Sequence, residues 1–316
     1  MLDQFSHLVR FNAVVEEGSL RKAAERLSVT QPALSRSIAI LEADFGRPLL
    51  ERHARGVRMT PFGERVMQAS LRMLRGWEIA EAELRAGAVD RTVVFRIGLG
   101  PSWRTGILSP ALEAMRKLHP NVLIEILPLN EPTVLDDLAE GRLDVAFAGN
   151  RIDPRAHPNL IRRDLTDIEI HVTAREGHPV FEQLRYGDQS SEQVLLDYPW
   201  IAFTGMAIFW DSGDYSMTKR LGREPEVWVS SSCLTTVLSL LQTTDSLSVL
   251  SNLAVKTVQG RRLVKVPVAM RQRSISLAMI FRAELAGWGV LEDFSQLCME
   301  HLTDHTLVEQ AKMPAF

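Results

Sequence analysis

Two short helical patterns stand only a few residues apart near the start of the chain, and the second opens on a proline. From Ser19, a candidate cap, Leu20, Ala23, Ala24 and Leu27 recur at helical spacing. A second set, Leu34, Ile38, Leu41 and Phe45, begins near Thr30 or Gln31 and stops at Gly46. Pro32 falls in the first turn, where a missing N–H costs nothing, so it marks a sharp helix start. Ahead of both, Phe5, Leu8, Phe11 and Val15 predict a helix ended by Glu16-Glu17-Gly18. Two short helices on so tight a connection read as a helix-turn-helix, and small Ala23 and Ala24 allow the close approach it needs.

On a helical wheel the apolar set of the third segment leaves Pro32, Ser35, Arg36 and Ala39 on the opposite side, with Gln31 at the flank. That outer face has no acid and no bulky apolar residue. Recognition helices present such N-terminal residues to base edges, Gln suiting adenine and Arg suiting guanine. An ordinary solvated face has a similar make-up. The tight turn and the segment that follows favour DNA. The whole chain carries a net charge of −3, which alone argues against nucleic acid. Between Arg47 and Arg75, however, seven arginines face two acids, an electrostatic footprint for phosphate, or else an Arg-rich solvated surface. Leu49 to Thr60 suits a β-hairpin wing, with Arg52, His53, Arg55 and Arg58 placed for the sugar-phosphate backbone or the minor groove.

Thr60-Pro61 opens a long helix whose apolar residues Phe62, Val66, Ala69, Met73, Trp77, Ala80 and Leu84 approach a coiled-coil seam, fit either to pair with a second copy or to pack on its own domain. From Thr92 the pattern changes to alternating strands and helices: VVFRIGL, a helix near 104–118, VLIEIL, a helix near 131–140, then DVAFAG. A second series runs LIRRDL, EIHVTA, PWIAF, a helix near 208–221, EVWVS, a helix near 232–242, LSVL and RLVKVPV. SISLAMIF and a last helix near 285–302 close it. Two α/β halves joined by crossings near 162–165 and 265–268 predict a hinged, two-lobed ligand receptor.

The chain's 316 residues exceed what one core usually serves. Two cysteines, Cys233 and Cys298, are too few for a disulfide framework, and a reducing, cytosolic setting is expected. The opening residues lack the pattern of a secretory signal, and no apolar run is long enough to span a membrane. No nucleophile–base–orienter set is recognisable, so no enzyme activity and no cofactor is expected. Gly98-Leu99-Gly100 starts like a dinucleotide fingerprint, but Trp103 stands where the third glycine belongs. Cys298, His301 and His305 have metal-like spacing without a further ligand cluster and read as a surface helix.

Ligands of open α/β sheets sit beyond the C-terminal ends of strands. Here those ends offer Pro101, Ser102, Trp103 and Arg104, then Gly149 and Asn150, then Phe203 and Thr204. Ser102 as a helix cap and Arg104 as a cation point to a carboxylate-bearing small molecule, or to a plain structural cap.

Residues 11–64 carry a closer resemblance. Ala23-Ala24 with Leu27, Thr30-Gln31-Pro32-Ala33-Leu34-Ser35, Ile38 with Leu41-Glu42, Phe45-Gly46, Leu50-Glu51-Arg52 and Thr60-Pro61 with Gly63 resemble the LysR-type transcriptional regulators. The rest of the chain matches that family by pattern. The resemblance implies an all-α N-terminal winged helix-turn-helix at 1–60 and a linker and dimerisation helix at 61–88. An α/β, two-lobed, periplasmic-binding-protein-like effector domain at 92–304 would follow, with lobe I about 92–163 and 268–304 and lobe II about 164–267. It implies base reading by Gln31, Pro32, Ser35 and Arg36, backbone contact by Arg52 and Arg55, effector contacts at positions such as Ser102 and Thr204, and a homodimer or homotetramer. The expected partners are double-stranded DNA, a small-molecule effector and RNA polymerase. A solute-binding protein or two-lobed enzyme with an N-terminal oligomerisation segment is the alternative. One departure stands out: where the family often has a glycine-rich stretch near position 250, this chain reads TTDSLSVLSN.

Overall fold

A computed structural model describes all residues except 1, 54–55, 85–92, 101–102, 105, 131, 150–153, 187–191, 205–220, 257–261, 269–272 and 311–316. The chain divides into two compact units. The first holds Met1–Phe95 with Asn121–Leu123 and Leu135–Asp144, and the second holds the remainder.

In the first unit, α1 (Leu2–Glu17), α2 (Leu20–Arg26) and α3 (Gln31–Phe45) precede a hairpin of β1 (Leu50–His53) and β2 (Gly56–Met59), then α4 (Pro61–Leu84). Local chemistry sets each boundary. Ser19 and Thr30 cap α2 and α3 by accepting from the amides of Lys22 and Ala33. Gly46 ends α3 in the left-handed conformation at φ 64°. Ala23 and Ala24 are buried against Leu34, Ile38 and Leu41 in a core completed by Phe11, Val14 and Leu49. The hairpin is pinned on two sides. The Glu42 carboxylate accepts from the amides of Leu49 and Leu50, at 2.8 and 3.2 Å, and the Val57 amide donates to the Gly18 carbonyl at 3.1 Å. Thr60 donates to the Pro48 carbonyl and accepts from the Gly63 amide, joining the hairpin to the start of α4.

Farther along α4, Arg75 is 4% exposed and grips Asp144, which is fully buried. Nε and Nη2 donate to the two carboxylate oxygens at 2.8 and 2.5 Å, and Nη2 also reaches the Val94 carbonyl. Burial pulls the Arg75 pKa down, but the bonds to Asp144 and Glu78 outweigh it and the net shift is upward. Gly141, at φ 78°, lies directly on this side chain: a Cβ there would stand 3.0 Å from that of Arg75. Three separate stretches of chain thus meet on one guanidinium.

The second unit holds most of a seven-stranded sheet. Its strands are β3 (Val93–Leu99), β4 (Val122–Pro128), β5 (Val145–Ala148), β6 (Leu160–Arg175), β9 (Ser248–Ser251), β10 (Leu263–Lys265) and β11 (Arg273–Arg282). The order is β10-β6-β11-β5-β3-β4, with β9 also on β6. A separate parallel pair, β7 (Trp200–Phe203) and β8 (Val227–Ser231), accompanies them. The described helices are α5 (Ser109–Leu118), α6 (Val134–Ala139, mostly in the first unit), α7 (Val180–Tyr186), α8 (Leu234–Thr243), α9 (Asn252–Lys256) and α10 (Gly289–Gln310).

LIRRDL and EIHVTA, expected as two strands, form the single strand β6. The residues between them, Thr166-Asp167-Ile168, include no glycine or proline to break it. β6 pairs antiparallel with β11 along its first eleven residues, and its last six pair with β9 and β10. The register slips once, at Leu277/Ala278. The expected βαβ parallelism holds for β3 with β5 and for β7 with β8. Two apolar cores flank the long strands. One stacks Trp103, Phe147 and Phe294 edge to face, and the other gathers Val172, Trp200, Ile201, Leu241 and Val249. The glycine-free TTDSLSVLSN stretch fills its space with hydroxyls: Ser248 donates to the Ile201 carbonyl, and Ser246 receives the Trp228 indole N–H.

Removing one partner of a buried ion pair strands the other. Asp144→Ala is expected to cost about 3–5 kcal/mol, while an Arg75→Met/Asp144→Leu double variant recovers most of that. Urea denaturation of the three proteins checks this. A double variant less stable than Asp144→Ala would contradict it.

Candidate functional site

The outer face of α3 is open. Gln31, Pro32, Ala33, Arg36 and Ala39 are exposed, while Leu34, Ser37, Ile38 and Leu41 are buried beneath them. Ser35 lies between, half-buried. Arg10 donates to the Ser37 hydroxyl at 2.7 Å, which ties α1 to the inner side of the same helix. The four predicted base-reading residues therefore share the first two turns of α3, and α1 and α2 hold that helix in place.

Eight arginines of the first unit fall into two classes. Arg21 pairs with Glu25, Arg26 with Glu16 and Glu17, and Arg75 with Asp144 and Glu78. The hydrogen bonds of Arg26 to Glu16 and Glu17 raise its pKa. Arg36, Arg47, Arg58, Arg65 and Arg72 have no carboxylate partner among the described residues. The paired class neutralises itself, and the second class leaves its charge to solvent or to a ligand. In the wing, Arg52 stands in β1 opposite Val57, and exposed His53 lies 3.6 Å from Glu51. Arg55 lies outside the described residues. Sequence reading counted Arg47, Arg65 and Arg72 in the basic run but gave them no role.

The strand ends named as effector contacts are placed unevenly. Pro101, Ser102 and Asn150 lie outside the described residues. The helix expected from about 104 starts at Ser109, with Leu108 at its cap and no side-chain cap bond, because Gly106 at φ 79° turns the chain first. Trp103 is 1% exposed, its ring against Phe147. Arg104 is exposed, and its Nε donates to the Leu99 carbonyl at 3.0 Å, so the cation sits at the C-terminal end of β3. Gly149 is half-buried at the end of β5. Phe203 is buried at the end of β7 and Thr204 is exposed beside it.

One residue was missed. Arg162, on β6, ties Asp164 at 2.9 Å and reaches the carbonyls of Gly149 and Ser276 at 3.3 Å each. Its charge lies over the end of β5 and beside the register slip of β11. The sequence gave only its place near a strand crossing, because the pairing of β6 with β11 is a long-range fact. Among the described residues no group of His, Cys, Asp and Glu is arranged to hold a metal. Cys298 is buried, and burial pushes its thiol pKa up; the His305 side chain lies outside the described residues. No described helix is long and apolar enough to cross a membrane.

Known proteins match both parts of the chain. Residues 5–64 fit the sequence model of the bacterial regulatory helix-turn-helix protein, lysR family, and residues 91–303 fit that of the LysR substrate binding domain. The HTH-type transcriptional regulator BenM of Acinetobacter baylyi is 34% identical over 202 residues, which span 62% of this chain and 64% of that protein. YdcI of Escherichia coli, an HTH-type transcriptional regulator, is 28% identical over 56% of this chain and 57% of its own length. The chain thus spans less than two thirds of these curated relatives. Among solved structures, ArgP from Mycobacterium tuberculosis superposes with a TM-score of 0.67 at 17% identity, covering 93% of this chain and 96% of that one. Full-length CbnR in complex with its target DNA gives 0.58 at 20% identity, covering 94% and 99%. At such identities the likeness is one of fold. Matched in its helix-turn-helix and across the two-lobed α/β region that follows, the chain belongs to the LysR family of bacterial regulators.

Proposed function

We propose that the protein is a cytoplasmic, DNA-binding transcription regulator, not an enzyme, whose output a small anionic effector controls. One observation carries the reading: the first turns of α3 present Gln31, Pro32 and Arg36 to solvent, with no carboxylate on Arg36 among the described residues. An exposed guanidinium beside an amide at a helix N-terminus suits the guanine and adenine edges of a major groove. The wing, with Arg52, His53 and Arg55, adds contacts that set position without reading sequence. CbnR, of the same fold, has been solved with its target DNA.

The effector reading rests on charge at the strand ends. Arg104 at the end of β3 favours a carboxylate, Arg162 being already paired with Asp164, and Ser102, Gly149, Asn150, Phe203 and Thr204 would complete the contacts. β6 and β11 form a ten-pair antiparallel ladder, and that pairing is the element a bound ligand would bend. The effector must bind two arrangements unequally to change anything. RNA polymerase is the partner through which such a change would reach transcription.

The exposed seam of α4 supports a homodimer or homotetramer. Met73, Trp77 and Leu84, three residues of the expected seam, are 54%, 53% and 81% exposed, while Val66 and Ile79 are buried. Large apolar side chains in a row at heptad-like spacing fit a second copy of the same helix.

The direct test is a gel shift with the DNA upstream of the protein's own gene. Arg36→Ala is expected to weaken specific binding by about 1–3 kcal/mol and non-specific binding by less. Equal losses on both DNAs would remove the base-reading role. In sedimentation, Met73→Glu/Trp77→Glu is expected to halve the particle mass at micromolar concentration. An unchanged mass would place the subunit contact elsewhere.

A further inference from the structure

Two of the arginines without an assigned role meet on one aromatic ring. The guanidinium carbon of Arg47 lies 5.5 Å, and that of Arg65 5.3 Å, from the centroid of Phe62. The two charges are therefore within about 11 Å of each other. Phe62 is the second residue of α4, and its ring packs edge to face on Phe45, the last residue of α3, at 5.8 Å. Both helices thus fix the ring. Both arginines are exposed, and neither guanidinium has a hydrogen bond or an ion pair among the described residues. Of the acids close in sequence, Glu42 holds the Leu49 and Leu50 amides, Asp44 accepts from Gln4, and exposed Glu64 forms no ion pair with either cation among the described residues. Stacking on a ring face orients a guanidinium while leaving the N–H groups on its edge unused.

We propose that Arg47 and Arg65, held by Phe62, grip backbone phosphates of a DNA duplex at the C-terminal end of α3, apart from both the base-reading face and the wing. The proposal rests on the DNA-binding reading above. A guanidinium fork with open donors matches phosphate oxygens. Placement follows from size. α3 has fifteen residues, about 22 Å, whereas the major groove is about 12 Å wide. With its first turns on the base edges, the other end of α3 emerges at the sugar-phosphate ridge, and Arg47 follows it directly after Gly46. Such contacts carry no sequence information and release counterions.

The test is fluorescence anisotropy of the full chain on two labelled duplexes of equal length, one from its own upstream region and one random, over a series of KCl concentrations. Arg47→Ala/Arg65→Ala is expected to weaken both duplexes by the same factor and to lower the slope of log K against log salt by about 1.8, near 0.9 for each phosphate lost. Arg47→Lys/Arg65→Lys retains the slope. Phe62→Leu also retains it but loses affinity several-fold, because the cations remain and are no longer held. An unchanged slope in the alanine pair, or a loss confined to the upstream duplex, would overturn the clamp while leaving DNA binding standing. Absence of binding by the unaltered protein to either duplex would overturn the DNA reading and the clamp with it.

Discussion

The rotation of α3 about its own axis governs what the first unit can touch. It is set by packing: Leu34, Ile38 and Leu41 are almost fully buried, and the small side chains of Ala23 and Ala24 let α2 close over them. A helix whose apolar stripe is buried has no freedom to turn, so its opposite residues are presented at a fixed angle. The wing inherits that frame, because Glu42 of α3 bonds its first amides and Thr60 bonds its base. Every contact proposed for DNA depends on these few buried apolar residues and the carboxylate that extends their reach.

Charge is arranged on the same scaffold by pairing and by the lack of it. A net charge of −3 describes the chain and says little about this surface. Arg21 and Arg26 are offset by acids on their own or the adjoining helix, and Arg75 is spent inside on Asp144. The arginines left over gather around α3, the wing and the first half of α4. A buried, doubly bonded pair such as Arg75–Asp144 fixes geometry more than it adds stability, since desolvation offsets much of its attraction. Its value here is the joining of α4, the start of β3 and the residues before β5 on one side chain.

In the second unit, local pattern and long-range pairing part company. The strands from VVFRIGL to DVAFAG were legible because β-branched runs alternate with helical ones. The union of LIRRDL and EIHVTA into one strand was not, since each half also reads as a complete strand of ordinary length. The helix expected near 104 starts at Ser109 because Gly106 bends the chain, and a left-handed glycine is invisible to periodicity. Arg162 went unmarked for a related reason: its partners Gly149 and Ser276 are 13 and 114 residues away.

The sequence by itself determined the elements whose cause is local. Thr30 and Pro32 start α3, Gly46 stops it, and the stripe from Leu34 to Phe45 decides which side is turned inward. The outward set of Gln31, Pro32 and Arg36 follows from that stripe alone. Only the tertiary structure decided which arginines keep an open charge, that Phe62 holds Arg47 and Arg65, that Arg75 turns inward to Asp144, and that β6 runs unbroken beside β11. Periodicity records how a residue relates to its neighbours three or four positions away. Ion pairs, ring contacts and strand pairings join residues tens of positions apart, and they exist only once the chain has closed on itself.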